Sequence, residues 1–230
     1  PGGRGTPVWT PDGTRATYFC QPVDGPTSMC WRPVDGSGAE EVLFKSSTYI
    51  SPGGWSPDGR HLVFIENTVE TGHDIGVFSL DDRRPRLLLG STFNERAPAL
   101  SPDGRWLAYS CDESGRREVY VQAFPDLGAK RQISPGGGDE PLWSRDGKEL
   151  FYRHGDDMMV VDVRLRPAFD AEVPRVLFSG RYVSFPQRPE VNYALGGDGR
   201  FLMVKRDGPD DPPLTVVVDW TQELLARPPA

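Results

Sequence analysis

The sequence predicts an all-β fold built from one repeated sheet module, and two observations support this prediction. The first is composition: Gly 26 and Pro 23 account for about a fifth of the 230 residues, against roughly 12% in average proteins. Both residues disfavour helix interiors, yet 37% hydrophobic and 10% aromatic residues are too many for a disordered chain. The second observation is a short phrase that occurs five times along the chain.

The repeated phrase is an apolar residue, a serine or threonine in four of the five copies, a proline in three, and then Asp-Gly. Its aspartates follow one another at intervals of 46, 45, 43 and 52 residues. Proline presets φ, aspartate accepts hydrogen bonds from nearby N–H groups, and glycine adopts a positive φ, so we expect five structural turns. The turn residues are Asp12, Gly13, Asp58, Gly59, Asp103, Gly104, Asp146, Gly147, Asp198 and Gly199. A period near 45 residues is typical of four-stranded β-propeller blades.

The strands of each unit can be assigned in chain order. An inner strand ends in Trp or Leu just before each turn, and Trp9, Trp55 and Trp143 in this position are expected to pack between blades. Denser apolar second strands follow at 16–19, 62–65, 106–109, 150–152 and 201–204. Third strands are predicted at 29–31, 75–78, 119–121 and 158–161, and more polar outer strands at 41–44, 86–89, 131–133 and 175–178. Polar outer strands are expected because a free sheet edge must not invite pairing.

The fifth unit is expected to be incomplete. Its last strand is predicted at 214–220, and no outer strand follows before the tail at 221–230. The predicted blades are 7–46, 53–90, 97–134, 141–179 and 191–220 of a single domain. We therefore expect the C-terminal part of a larger, six-bladed propeller.

The phrase Trp-Ser-Pro-Asp-Gly followed by a basic residue, as in 55–60, resembles the WD40-like, TolB-type propeller repeats of bacteria. The resemblance extends over about residues 7–220 and is specific for the repeat, but fold alone does not fix function. It implies binding of a protein, a peptide or a small ligand. It also implies a periplasmic or other extracytoplasmic location, for example as a free-standing interaction scaffold.

A second resemblance lies at the C-terminus, in 199–203 and 214–224. These segments resemble the end of the propeller attached to bacterial serine/threonine protein kinases, which implies a non-catalytic sensor or interaction domain of a receptor whose parent chain is membrane-anchored. The sequence contains no kinase motif of its own. An alternative is the propeller of a prolyl-oligopeptidase-like peptidase without its hydrolase domain.

Several function classes are disfavoured by the sequence. The formal net charge of −7, with Lys+Arg 26 against Asp+Glu 33, disfavours nucleic acid as a partner. No apolar run approaches the roughly 20 residues that span a bilayer, so membrane insertion by these residues is not expected. A Gly-x-Ser-x-Gly nucleophile motif is absent, and the three histidines share no ligand spacing. We therefore expect no catalytic residue, metal or cofactor.

The cysteines leave two interpretations open. Cys20 and Cys111 each lie eight residues after a turn aspartate, and Cys30 lies across a hairpin from Cys20. The sequence is compatible with a Cys20–Cys30 disulfide in an exported protein. The alternative, which the sequence favours slightly, is three small apolar side chains that fill the spaces between sheets.

The predicted binding rim lies at the end of the channel opposite the turns. The connections between units, at 45–53, 90–98, 134–141 and 179–191, vary in sequence, and variable loops on a rigid scaffold commonly bind partners. The predicted rim residues are Tyr49, Asn94, Glu95, Arg96, Asp139, Glu140, Tyr182, Phe185, Arg188 and Glu190. The alternative is that these side chains are only solvated surface.

Overall fold

The computed structural model describes residues 6–21, 25–185 and 188–205. Within these residues every regular element is a β-strand, and the strands form successive antiparallel sheets along the chain. This confirms the all-β prediction and the four-stranded antiparallel blade. Nowhere in the described part of the chain is there a helix of the length and apolar character needed to cross a membrane.

The first three units are four-stranded sheets whose spatial order follows the chain. Unit 1 consists of β1 (Val8–Trp9), β2 (Arg15–Cys20), β3 (Thr27–Pro33) and β4 (Glu41–Ser46). Unit 2 consists of β5 (Tyr49–Trp55), β6 (His61–Thr68), β7 (Gly72–Ser79) and β8 (Arg84–Leu89). Unit 3 consists of β9 (Glu95–Leu100), β10 (Trp106–Cys111), β11 (Glu118–Ala123) and β12 (Arg131–Gln132).

Units 4 and 5 depart from this pattern. Unit 4 consists of β13 (Asp139–Trp143), β14 (Glu149–His154), β15 (Asp157–Arg164), β16 (Asp170–Ala171) and β17 (Arg175–Ser179). Both β16 and β17 pair with β15, at opposite ends of that strand. Unit 5 is described as the pair β18 (Ala194–Leu195) and β19 (Phe201–Leu202). The strand predicted at 214–220 and the tail at 221–230 lie outside the described residues.

The five Asp-Gly turns share one hydrogen-bond pattern. In the first four, the preceding Ser or Thr hydroxyl donates to the aspartate carboxylate at 2.5–2.8 Å. In all five, the carboxylate accepts from the N–H two residues later at 3.0–3.2 Å. Each turn glycine has φ between +68° and +80°, a region that favours glycine. Each aspartate carboxylate thus accepts hydrogen bonds within its own turn. The hydrogen bond from the Thr10 hydroxyl is the main reason why the pKa of Asp12 falls to about 2.

The core consists of apolar layers between consecutive sheets. In β6, Leu62 and Phe64 pack toward unit 1, whereas Val63 belongs to the layer shared with unit 3. This alternation follows from the two-residue period of a strand. Because both faces of the middle strands are covered, their sequences are nearly continuously apolar.

Two of the three inner-strand tryptophans pack against the preceding unit. Trp55 is 8% exposed, stacks on Trp31 with ring centroids 5.8 Å apart, and donates from Nε1 to Thr17 Oγ1 at 2.9 Å. Trp143 is 6% exposed and donates to the Ala99 carbonyl at 2.9 Å. Trp9, at the same position in unit 1, is 60% exposed.

Cys20 and Cys30 form a disulfide between β2 and β3, with Cα atoms 5.9 Å apart. The strand register pairs Tyr18 with Cys30 and Cys20 with Ser28, so the bridge runs diagonally across the ladder. Cys111 is a buried free thiol whose pKa is raised to about 11, mainly by burial. The structure therefore selects the disulfide over the alternative of three free thiols.

Replacing both Cys20 and Cys30 by serine is expected to lower the free energy of unfolding by about 2–3 kcal/mol, because the bridge closes a short loop in the unfolded chain. Urea denaturation with and without reductant measures the effect. The wild-type midpoint should fall in reductant, whereas that of the double variant should not change. Equal wild-type midpoints in both conditions would contradict the assignment.

Candidate functional site

The inner strands of all five units enclose a cavity of about 660 Å³ in the half of the channel nearer the turns. Residues three positions before the turn aspartates form one layer of its wall: Trp9, Trp55, Leu100, Trp143 and Leu195. Residues two positions further back form a second layer: Pro7, Gly53, Pro98 and Tyr193. Pro102, Ser144, Arg145, Gly196 and Gly197 line the cavity at the turns themselves.

The cavity wall is apolar apart from backbone groups and a few side chains. Within the described part of the chain, Arg145 is the one charged residue that lines the cavity, and its side chain is exposed. Gly54 lines the cavity as well, and a Cβ placed there would meet no heavy atom within 4 Å. An apolar side chain placed at Gly54 would therefore have open space around its Cβ.

The opposite half of the channel contains the segment that leads into unit 5. The buried Pro189 accepts a hydrogen bond at its carbonyl from the Ala97 N–H at 2.8 Å. The Glu190 carboxylate accepts one from Ser51 Oγ at 2.7 Å, and the Arg96 guanidinium donates to the Arg188 carbonyl. Units 3 and 4 separate unit 2 from unit 5 along the chain, so the contact from Ser51 to Glu190 crosses the axis.

Glu140 connects the same segment to unit 4 through hydrogen bonds. Its carboxylate oxygens accept from the N–H and Nδ2 of Asn192 at 3.1 and 3.0 Å, and its carbonyl accepts from the Tyr193 hydroxyl at 2.8 Å. Burial raises the pKa of the Glu140 carboxyl. We call residues 188–193 the axial segment, and its contacts hold it against units 2, 3 and 4 at the end opposite the turns.

The rim prediction was wrong in the placement of five residues. Tyr49, Glu95, Arg96, Asp139 and Glu140 were assigned to loops, but they begin the inner strands β5, β9 and β13. Glu95, Arg96 and Glu140 are only 4%, 4% and 5% exposed. They are internal because the inner strands start earlier than predicted. The axial segment contacts Arg96 and Glu140, whereas Glu95 accepts from Ser91 Oγ.

A β-bulge accompanies this difference in the inner strands. The registers of β5, β9 and β13 all shift at the same repeat position. Ala97 and Glu140 lie there with φ of +50° and +57°, values unusual for residues other than glycine. Bulges change the direction in which neighbouring side chains point, and no local sequence signal marked this one.

The other predicted rim residues are spread over the loop end. Asn94 donates from its N–H and Nδ2 to Asp112 at 2.9 and 2.8 Å. Tyr182 forms an isolated bridge with Lys205 and contacts the Phe178 ring at 5.8 Å. Phe185 is 49% exposed, and the Arg188 guanidinium lies 5.3 Å from its ring centroid.

A second cavity, of about 520 Å³, lies at the loop end between units 3, 4 and 5. Its lining includes Arg117, Asp139, Glu140 and Arg153. Arg117 pairs with Asp139 at 3.0 Å, and Arg153 donates to the Val183 carbonyl at 2.8 Å. These charged groups already form ion pairs or hydrogen bonds within the protein. They are therefore less available to bind a ligand than the groups that line the turn-side cavity.

A metal site is not supported by the one candidate group. Among the described residues, Cys20, Cys30 and Glu40 are the cluster of potential ligands whose ligand atoms lie within 4.8 Å of one another. The two sulfurs are joined in the disulfide, so they are not available as thiolate ligands.

Comparison with known proteins agrees with this architecture. The chain is 30% identical over 121 residues to the Tol-Pal system protein TolB of Anaeromyxobacter sp. (strain K), covering 52% of this chain and 27% of that protein. It is 30% identical over 102 residues to the uncharacterized peptidase YuxL of Bacillus subtilis (strain 168), covering 43% of this chain and 16% of that protein. The chain thus spans about a quarter or less of the length of these relatives.

A solved structure and a family model extend the comparison. The crystal structure of TolB from Acinetobacter baumannii matches with a TM-score of 0.66 and 18% identity, covering 90% of this chain and 50% of that chain, which shows a shared fold. The family model of the TolB beta propeller domain matches residues 4–186. The chain therefore belongs to the TolB β-propeller domain family.

Proposed function

We propose that this chain is a non-catalytic interaction propeller that receives a peptide segment of a partner protein in the turn-side half of its channel. The observation that carries the proposal is the asymmetry of the channel. Its turn side is an apolar cavity of about 660 Å³, whereas the axial segment occupies the loop side. Large apolar pockets with few polar groups are the usual binding sites of proteins.

The proposal replaces the predicted rim with the opposite face of the propeller. Glu95, Arg96 and Glu140 are buried, so their replacement would disturb the fold before it affected a partner. Exposed Tyr49, Phe185 and Arg188 remain candidates for a secondary contact at the loop end.

Within a longer polypeptide, we propose that this propeller acts as the sensor domain of a receptor of the kinase-associated type. The support is the resemblance of 199–203 and 214–224 to that class, together with the small share of its curated relatives that the chain covers. The receptor role rests on the interaction function and adds no catalytic residue to this chain.

A second candidate function is the propeller of a peptidase. The observation that favours it is the 30% identity to YuxL over 102 residues, although this covers only 16% of that protein. In that case the channel would admit the substrate peptide. The sequence of the complete polypeptide separates the two candidates, because one requires a kinase domain and the other a hydrolase domain.

Replacing Gly54 by phenylalanine is expected to abolish partner capture without unfolding the chain. The backbone there does not require a positive φ, and a Cβ meets nothing within 4 Å, so the ring fills the cavity instead of clashing with the wall. The measurement is affinity capture from a lysate of the producing cells, quantified by mass spectrometry.

The matched control is Gly136→Phe. Gly136 also has free space around a Cβ and no positive φ, but it lies in the connection before β13 and outside the cavity. Capture should persist with this control. Equal recovery of a partner by the wild type and by Gly54→Phe would refute the channel as the docking site.

A further inference from the structure

We propose that Arg145 anchors a carboxylate of the peptide that enters the channel, so that the preferred partner segment is apolar and carries an acidic group. This inference rests on the proposed function and specifies the chemistry of its ligand.

The identity of residue 145 is not explained by the turn. The equivalent positions in units 1, 2 and 3 are Pro11, Pro57 and Pro102, and proline is favoured there because its φ suits the turn. The unit 4 turn still forms its usual hydrogen bonds. The Ser144 hydroxyl donates to the Asp146 carboxylate at 2.8 Å, and the Lys148 N–H donates to the same carboxylate at 3.1 Å. None of these contacts uses the Arg145 side chain.

The Arg145 guanidinium lies over the mouth of the cavity. A Cβ placed on Gly197 would be 2.8 Å from its Nη1 atom, so the side chain extends from the unit 4 turn to the unit 5 turn. Both residues line the cavity. A ligand that enters from the turn side therefore passes within reach of this cation.

The acidic groups of the neighbouring turns are already paired. Asp146 pairs with Lys148 at 3.3 Å, Asp198 with Arg200, and Asp103 with Arg166 at 3.4 Å. Among the described residues Arg145 has no ion-pair partner. An arginine beside an apolar wall, without an internal anion, is complementary to a ligand carboxylate, which it can bind through two parallel hydrogen bonds.

Trp9 supplies the apolar part of the same site. Its ring lines the cavity and is 60% exposed, and in the described part of the chain its indole N–H has no hydrogen-bond partner. Tryptophan combines a large apolar surface with one donor, a combination typical of binding hot spots. A peptide offers both the apolar side chains and the carbonyl acceptors that such a surface needs.

A single arginine favours a carboxylate over a phosphorylated group. Sites for phosphorylated ligands generally cluster several arginines, and among the described residues no second cation lines this cavity. The structure thus points to an acidic apolar peptide as the occupant.

The test uses tetrapeptide mixtures built from alanine, leucine, phenylalanine and proline, prepared as free acids and as C-terminal amides. Binding to the whole ¹⁵N-labelled chain is followed by the indole N–H signal of Trp9, which is assigned with Trp9→Phe. The free acids should bind about tenfold more tightly than the amides, as expected for a charge-assisted hydrogen bond. Arg145→Gln should remove this difference, and Arg84→Gln in outer strand β8 should preserve it.

The outcomes separate this inference from the proposed function. If acids and amides shift the Trp9 signal with equal affinity in the wild type, Arg145 is not an anion anchor, although the channel still binds peptides. The same conclusion follows if Arg145→Gln retains the preference for acids. If neither mixture shifts Trp9, the channel is not a peptide site and both proposals fail.

Discussion

Replacing Trp55 by alanine is expected to lower the free energy of unfolding by about 3–5 kcal/mol, the usual range for a buried tryptophan. Trp55 is 8% exposed, stacks on Trp31 and donates to Thr17 in the preceding unit. The substitution leaves a void between two sheets and removes the partner of a buried hydroxyl. Urea denaturation followed by circular dichroism measures the loss.

Trp9→Ala is the matched control at the same position of the repeat. Trp9 is 60% exposed, so its loss should cost less than about 0.5 kcal/mol, as for most surface substitutions. Equal losses at Trp9 and Trp55 would contradict the packing order of the units.

Replacing Glu118 by alanine is the second large expected effect, a loss of about 3–5 kcal/mol. Glu118 is 0% exposed and accepts from Ser134 Oγ at 2.6 Å, from the Gly137 N–H at 2.9 Å and from Arg116 Nε at 2.7 Å. Removing the carboxylate leaves a buried hydroxyl and a backbone N–H without an acceptor, which is the costly case for hydrogen bonds.

Asp162→Ala provides the control for an acidic residue. Asp162 is exposed and pairs with Arg175 at 3.1 Å, and exposed ion pairs contribute at most about 1 kcal/mol. Both variants are compared by their urea midpoints at neutral pH. A Glu118 variant as stable as the Asp162 variant would show that the connection from β12 to β13 does not depend on this carboxylate.

The repeated sheets could be predicted from the sequence because their determinants are local. The contacts of Asp58 and Gly59 lie within a few residues of one another, so the phrase alone predicts the turn. The apolar runs around Leu62 and Val63 similarly predict a strand covered on both faces. These elements repeat, and each occurrence strengthens the assignment of the others.

The site could not be predicted in the same way because long-range contacts determine it. Glu190 meets Ser51, and Pro189 meets Ala97, across an axis that no local pattern reveals. The bulges at Ala97 and Glu140 also lack a sequence signature. One local signal does mark the site: Arg145 stands where three other turns have proline.

The measurement that most directly tests the account is hydrogen–deuterium exchange of the chain alone and with its captured partner. If the partner docks in the turn-side cavity, exchange slows in 53–57, 98–102 and 142–147, which approach that cavity. Exchange in 46–49, 90–95 and 134–138 at the loop end stays unchanged. Protection of the loop-end segments with no change near the turns would contradict it.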